Sequence, residues 1–398
     1  MNHRIFTQPV LLSKMNERQV ARTLLQNGPL SRADLTRLTG LAAPTVSKAV
    51  DSLLGSGHLE EQEPAASFGR PAKRLALAVQ KSQVLGLVID AGACRLVAAG
   101  LDGRIRTEDT REFPTPETYE ELIAHAAEQA RELITQRNIS TLGMGVSTPG
   151  LVDYREMQAL LSPNLPITNG RRPGVDLSAA LGIDCVLVQE EHALCMAERS
   201  FGSAQGLDDF AMLDVSTGVG LGVMSGGRIL LGRRGLAGEI GHITVDINGR
   251  RCGCGNYGCL ETTACGSALA WQVSQRLGRA VSFQEIAMLM ADGKETFREE
   301  LELISNYLSV GIAAVINLYN PSSLFIHGHL FELDEGMFSR VVESAKRRSL
   351  SPSFEDCQII RARGSKRQGA VAAIIDHLLD SLIPAVAIKR TRTPKFAD

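Results

Sequence analysis

The sequence predicts an α/β protein in two parts, a small helical head and a larger duplicated body. Three observations support this. Residues 1–80 hold three short helical patterns followed by two strand-like pieces, strand-turn-strand units start near residue 83 and again near residue 210, and a cysteine cluster lies between distant parts of the body. At 398 residues the chain can bury two or three cores. Its 44% hydrophobic and 22% charged content, with mean hydropathy +0.00, is that of an ordinary globular protein. No uninterrupted apolar run approaches the roughly 18 residues of a membrane helix, and "MNHRIFTQPVLLSK" lacks the apolar stretch of a signal peptide. The expectation is a cytoplasmic protein without membrane insertion.

In the head, Val20, Leu24 and Leu25 fall on one face of a helix around residues 16–26, which "NGP" stops. Ser31 has the position of an N-cap for a second helix carrying Leu35 and Leu38 and ending at Gly40. A third helix starts near Pro44 and carries Val46, Val50, Leu53 and Leu54. Helix, short turn and helix is the helix-turn-helix arrangement, whose second helix enters the DNA major groove. Thr45, Ser47 and Lys48 near its start could meet base edges or phosphates. The stretch "HLEEQEPAASFGRPAKRLALA" then supplies a wing with Arg70, Lys73 and Arg74 at or beside its tip. Charge agrees: residues 1–80 hold ten Lys/Arg and six Asp/Glu, a net +4, which leaves −6 for the rest of a chain of net charge −2.

The body starts with "VLGLVIDAGACRLVAAGLDGRIRTEDTREF", three β-rich runs joined by turn signals, followed by a helical stretch near 117–136. "FAMLDVSTGVGLGVMSGGRILLG" repeats the arrangement from residue 210. Two similar halves, about 81–200 and 201–398, imply a cleft between them. The glycine-rich "STGVGLG" is compatible with a phosphate cradle and equally with a structural hairpin.

Of eight cysteines, only those in "RCGCGNYGCLE" (251–261) are tightly spaced. His242, Cys252, Cys254 and Cys259 make a tetrahedral zinc set in which every position is filled by protein, so the ion would be structural. The other cysteines are expected to be buried small side chains.

"GEIGH" followed by "CGCGNYGCLE" resembles the signature of the ROK family of bacterial sugar kinases and sugar-responsive regulators, and "STPGLVD", "STGVGLG" and "AERSFG" match further segments in order. The head resembles that of the family's NagC and Mlc-type regulator branch. The resemblance implies a duplicated actin-like ATPase (ribonuclease H-like) fold, with Glu239, His242 and Glu261 binding sugar hydroxyls and Asn164 of "SPNLP" a further contact. Carboxylates suit this because they accept paired hydrogen bonds from vicinal hydroxyls.

Three elements depart from a kinase of that family. In "DAGAC", Ala93 and Cys94 replace a glycine and a threonine; the catalytic base position falls on Glu190; and "FIHGHL" puts His327 and His329 where consecutive glycines are usual. An extra methylene on the base misplaces its oxygens, and Glu190 could instead bond a sugar hydroxyl. The expected function is a DNA-binding transcriptional repressor controlled by a sugar or sugar phosphate, as a homodimer or homotetramer. The alternatives are a sugar kinase with an attached DNA-binding head, or a repressor controlled by a transporter-protein partner.

Overall fold

The structure is a computed structural model that describes residues 8–62, 73–293 and 295–381. Helix α1 (Gln8–Asn27) starts well before the expected residue 16. Leu12 and Met15 in its early turns are exposed, so hydrophobic periodicity gains no buried position from them. Helix α2 (Arg32–Thr39) begins at Ser31, whose hydroxyl accepts the Asp34 N–H while the Asp34 carboxylate accepts the Ser31 N–H; Gly40 closes the helix at φ 70°. Helix α3 (Ala43–Gly55) has Pro44 in its first turn and buries Val46, Ala49, Val50 and Leu53. Leu38, expected on the apolar face of α2, is exposed. Strands β1 (Leu59–Gln62) and β2 (Arg74–Leu77) pair antiparallel, Leu59 opposite Leu77, and the segment expected to form the wing tip between them lies outside the described residues.

The first half of the body comprises β3 (Ser82–Val88), β4 (Ala93–Ala99), β5 (Ile105–Pro114), α4 (Tyr119–Gln136), β6 (Ser140–Thr148), a small hairpin of β7 (Leu151–Asp153) and β8 (Gln158–Leu161), α5 (Pro173–Leu181), β9 (Asp184–Gln189) and α6 (Glu190–Phe201). The second comprises β10 (Phe210–Asp214), β11 (Gly220–Ser225), β12 (Arg228–Ile229), α7 (Gly266–Leu277), α8 (Phe283–Ala291), α9 (Arg298–Tyr319), β13 (Ser323–His327), α10 (Met337–Lys346), α11 (Ser351–Glu355), β14 (Gln358–Arg361) and α12 (Lys366–Ser381).

The sheets are ordered β5-β4-β3-β6-β9 and β12-β11-β10-β13-β14. In each, the first three strands in chain order are antiparallel neighbours and the last two add in parallel. This matched topology is the duplication expected from the sequence, and the chain has the α/β architecture expected of it.

The expected division at about residue 200 needs one correction. Helix α12, which follows the last strand of the second half, packs on β3 and β6 of the first sheet, and α6 packs on β10 and β11 of the second. The two helices cross against each other between the sheets. Sequence order cannot reveal such an exchange, because both helices carry ordinary apolar faces. Gly145 on β6 permits the close approach of α12, since a β-carbon there would strike the Ala370 carbonyl.

The head and the first half share one core. Val20, Leu24, Leu35 and Leu53 lie in the same buried cluster as Val84, Val97, Val371, Ile374 and Leu378. Polar contacts reinforce the junction: Glu60 accepts the N–H groups of Val79 and Gln80, and Ser82 donates to the Gly57 carbonyl at 2.8 Å.

Helix α9 amends the sequence expectation in another respect, since it is long and apolar enough on average to cross a membrane. Most of its apolar residues belong to the second core: Leu301, Ile304, Leu308, Ile312, Val315 and Ile316 are buried among neighbouring elements, while Leu303 and Leu318 are exposed.

Candidate functional site

Both sheets end their first strand at the same cleft, which places Asp90 after β3 and Asp214 at the end of β10. The starts of α6 and α12 add Glu190, Glu191 and Lys366. Loops bring in the remaining expected residues, so that Asn164, Glu190, Glu239, His242 and Glu261 all line one cleft. Residues separated by almost a hundred positions thus meet. Lys366, Asp214 and Glu191 were missed by sequence reasoning. Their signal was position alone, Asp214 at a strand end and Glu191 and Lys366 in the first turns of helices that follow strands, which the duplication could have exposed.

The glycines of "STGVGLG" have a local reason. A β-carbon on Gly218 would strike the Glu261 carboxylate, and one on Gly220 would strike Glu191. The turn therefore makes room for two carboxylates, and Glu261 Oε2 accepts the Val219 N–H at 3.2 Å. Acidic groups pressed against this turn disfavour a phosphate there.

The cleft is lined with unsatisfied acceptors. Gln189 donates through Nε2 to Glu239 Oε1 at 3.2 Å, leaving its own Oε1 buried without a partner. Glu190 Oε1, Glu191 Oε2 and the Ser162 hydroxyl are also buried and unpartnered. Such atoms cost free energy unless a ligand or water supplies donors, roughly 1–3 kcal/mol each. A polyhydroxylated ligand supplies many.

Deeper in the cleft lies a charge network. The Lys366 ammonium is 2.7 Å from Glu190 Oε2 and 3.4 Å from Asp214 Oδ2. Asp214 also pairs with His327 Nδ1 at 2.8 Å and accepts the Ser216 hydroxyl at 2.6 Å. Burial alone would neutralise Lys366, but Glu190, Asp214 and Asp90 hold it protonated, well above the usual lysine range. Burial likewise opposes ionisation of Asp214, yet Lys366 and His327 keep its carboxyl well below the usual range. Glu190 is shifted upward, burial outweighing the help from Lys366. Glu191 is pushed up to about 8 by burial and by Glu190 beside it. His329 has its own acidic partner, Glu332, at 3.0 Å.

At one wall the cysteine loop returns on itself. One ligand atom each from His242, Cys252, Cys254 and Cys259 lies within 4.8 Å of all the others. Cys252 Sγ is 3.7 Å from His242 Nδ1 and Cys254 Sγ is 3.8 Å from Cys259 Sγ. A tetrahedral zinc with bonds of about 2.3 Å to sulfur needs sulfurs roughly 3.8 Å apart, whereas a disulfide needs about 2.05 Å. The donor set fits zinc and excludes a bridge in this geometry. His242 presents its two ring nitrogens in different directions: Nδ1 faces Cys252, and Nε2 lies 3.9 Å from Glu239 Oε2, on the cleft side. The remaining thiols are buried, Cys185 partly so, as expected of small core side chains.

On the head, Thr45 and Lys48 lie on the outward face of α3, Lys48 exposed, Thr45 and Ser47 partly so. Arg32 bonds the Ser47 carbonyl at 3.1 Å and Asp51 at 2.8 Å, which fixes α2 against α3. In the wing stem Lys73 pairs with Glu61 at 2.5 Å and Arg74 donates to the Pro29 carbonyl at 2.8 Å. Arg70 lies outside the described residues.

Residues 86–376 match the ROK family. The chain is 27% identical over 387 residues to the DNA-binding transcriptional dual regulator NagC of Escherichia coli strain K12, covering 94% of this chain and 95% of that protein. It is 26% identical over 381 residues to the xylose repressor of Bacillus subtilis strain 168, covering 93% and 97%. Among solved structures, a ROK family transcriptional regulator homologous to the Escherichia coli MLC protein superposes with TM-score 0.80 at 27% identity, over 94% of this chain and 98% of that one. A ROK hexokinase from Thermus thermophilus gives TM-score 0.63 at 29% identity and covers 99% of itself but only 75% of this chain. The regulators thus match over nearly the whole chain, and the kinase over three quarters of it. The chain belongs to the ROK family.

Proposed function

We propose that this protein is a transcriptional repressor whose winged head reads an operator and whose cleft binds a sugar that sets operator affinity. The observation that carries the reading is a cleft of convergent, unpartnered acceptors joined through one continuous core to a helix-turn-helix head. Glu239, Glu261 and Asn164 would take hydroxyls at the rim, with Glu190 Oε1 and Gln189 Oε1 meeting those deeper in. Relatives named for N-acetylglucosamine and for xylose support a sugar as the ligand class. Thr45, Ser47 and Lys48 would face the major groove, and Arg70, Lys73 and Arg74 the flanking phosphates. A dimer or tetramer would present two heads to a palindromic operator. The setting is the cytoplasm, where the cysteine set stays reduced and holds structural zinc through His242, Cys252, Cys254 and Cys259. The zinc would hold the "GEIGH" turn and Glu261 at fixed positions; no chemistry passes through it.

The body is read as having no phosphoryl transfer. A general base must be free to accept a proton, and Glu190 is tied to Lys366 at 2.7 Å. The ammonium also occupies the space between Glu190 and Asp214. Calorimetry with D-glucose, D-xylose, N-acetylglucosamine and its 6-phosphate, alongside an ADP-release assay with magnesium and ATP, tests both halves of the reading. Binding without ADP release is expected. Sugar-dependent ADP release abolished by Glu190→Gln would establish the kinase instead.

A further inference from the structure

We infer that Lys366, with the helix it begins, carries the state of the sugar cleft to the DNA-reading head. The inference rests on the sugar reading above and names the element that transmits it. At the cleft end, the Lys366 ammonium bridges carboxylates from both halves, Glu190 of α6 and Asp214 of β10. Any closure of the halves on a ligand, or any hydroxyl competing for Glu190, changes what Lys366 can hold. A cation at a helix N-terminus is opposed by the helix dipole, so these two carboxylates are what keep it there.

The start of α12 is also fixed from behind. The buried Glu198 carboxylate accepts the N–H groups of Arg363 and Gly364, at 3.2 and 2.9 Å, on the turn that leads into the helix. From there α12 runs across the first sheet to the head. Ten residues after Lys366, about 15 Å along a helix, Asp376 pairs with Arg22 of α1 at 2.7 Å. One turn later Asp380 pairs with Arg22 at 2.7 Å and with Arg18 at 2.6 Å. Between these ends Val371, Ile374, Ile375 and Leu378 share one core with Val20 and Leu24 of the head. A packed helix moves as a unit. Displacement of its first residue is therefore delivered to α1, against which α3 is packed.

The test separates sugar affinity from its effect on DNA. Calorimetry with N-acetylglucosamine, its 6-phosphate, D-glucose and D-xylose gives the first, and operator affinity of the full chain with and without the binding sugar gives the second. In the wild type the sugar is expected to change operator affinity about tenfold or more, within the usual range of allosteric coupling. Lys366→Gln should reduce that ratio to about threefold or less. Because this variant unpairs buried carboxylates, the head end is tested independently with Asp376→Asn plus Asp380→Asn. That variant should bind sugar within about twofold of wild type and show the same reduced ratio, and adding Lys366→Gln to it should reduce the ratio no further, as expected of residues on one path. Sugar binding with an undiminished ratio in the head-end variant would overturn the inference and leave the sugar reading intact. Absence of calorimetric binding by any of the four sugars would overturn the sugar reading, and the inference with it.

Discussion

The two half-domains have the same strand order, yet their last helices start with opposite charges. Glu190 begins α6 after β9, and Lys366 begins α12 after β14. Because the helices are exchanged between the sheets, these equivalent positions face each other across the cleft, 2.7 Å apart. Duplication supplied a symmetric frame, and the charge difference between its halves turned the centre of the cleft into an ion pair. On the function proposed above, the difference marks where a kinase-like body would become a sensor: at the point where a base must be free.

Four measurements would break or sharpen this comparison. The largest effect is expected at the second half's cysteine loop, which the first half lacks among the described residues and where a structural zinc would contribute on the order of 10 kcal/mol to folding. Chelation, or Cys254→Ser, should lower the melting temperature and cost at least about tenfold in sugar affinity, as loss of an organising metal does elsewhere. Unchanged melting and affinity after metal removal would refute a structural role for the ion. Next comes the ion pair itself. Lys366→Gln should destabilise the fold by about 3–5 kcal/mol in urea unfolding, because it leaves Glu190 and Asp214 buried without their cation. A cost below about 1 kcal/mol would mean the pair is solvated in solution.

At the rim, Glu261→Gln should weaken sugar binding by about 1.5–3 kcal/mol, the range for a hydrogen bond to a charged group. The sugar-free operator affinity should not change. The last measurement is the pH dependence set by Glu191. Its carboxyl is pushed up to about 8 in the folded chain, against an ordinary value of 4.5. Between these values the folded chain holds a proton that the unfolded chain has released, so Glu191 lowers stability as pH rises through this window. Glu191→Gln removes the term. Urea midpoints of variant and wild type should separate in the variant's favour between pH 5 and pH 8; parallel curves would show that Glu191 is ionised throughout.

Much of this arrangement was legible in local sequence. The N-cap at Ser31, the stop at Gly40 and the helix-period apolar residues Val46, Val50 and Leu53 are short-range signals, and the head followed from them. His242, Cys252, Cys254 and Cys259 were legible because zinc ligation demands particular side chains at short spacing. The cleft residues were legible only through the family resemblance, which brought together positions from Asn164 to Glu261. What stayed hidden depends on tertiary crossing. Nothing local in "GSKRQGAVAA" says that Lys366 meets Glu190, or that α12 leaves its own half for the other. The glycines of "STGVGLG" read as a possible phosphate cradle until the carboxylates of Glu191 and Glu261 were seen to need their space.

The central claim is that sugar in the cleft sets the affinity of the head for DNA. Its most direct test is a titration of an operator, selected from a random DNA pool, with the full chain, in the presence and absence of the sugar that binds by calorimetry. A change of about tenfold or more, lost in Glu261→Gln, is the expected result. Bound sugar with the same operator affinity in its presence and absence would contradict the account.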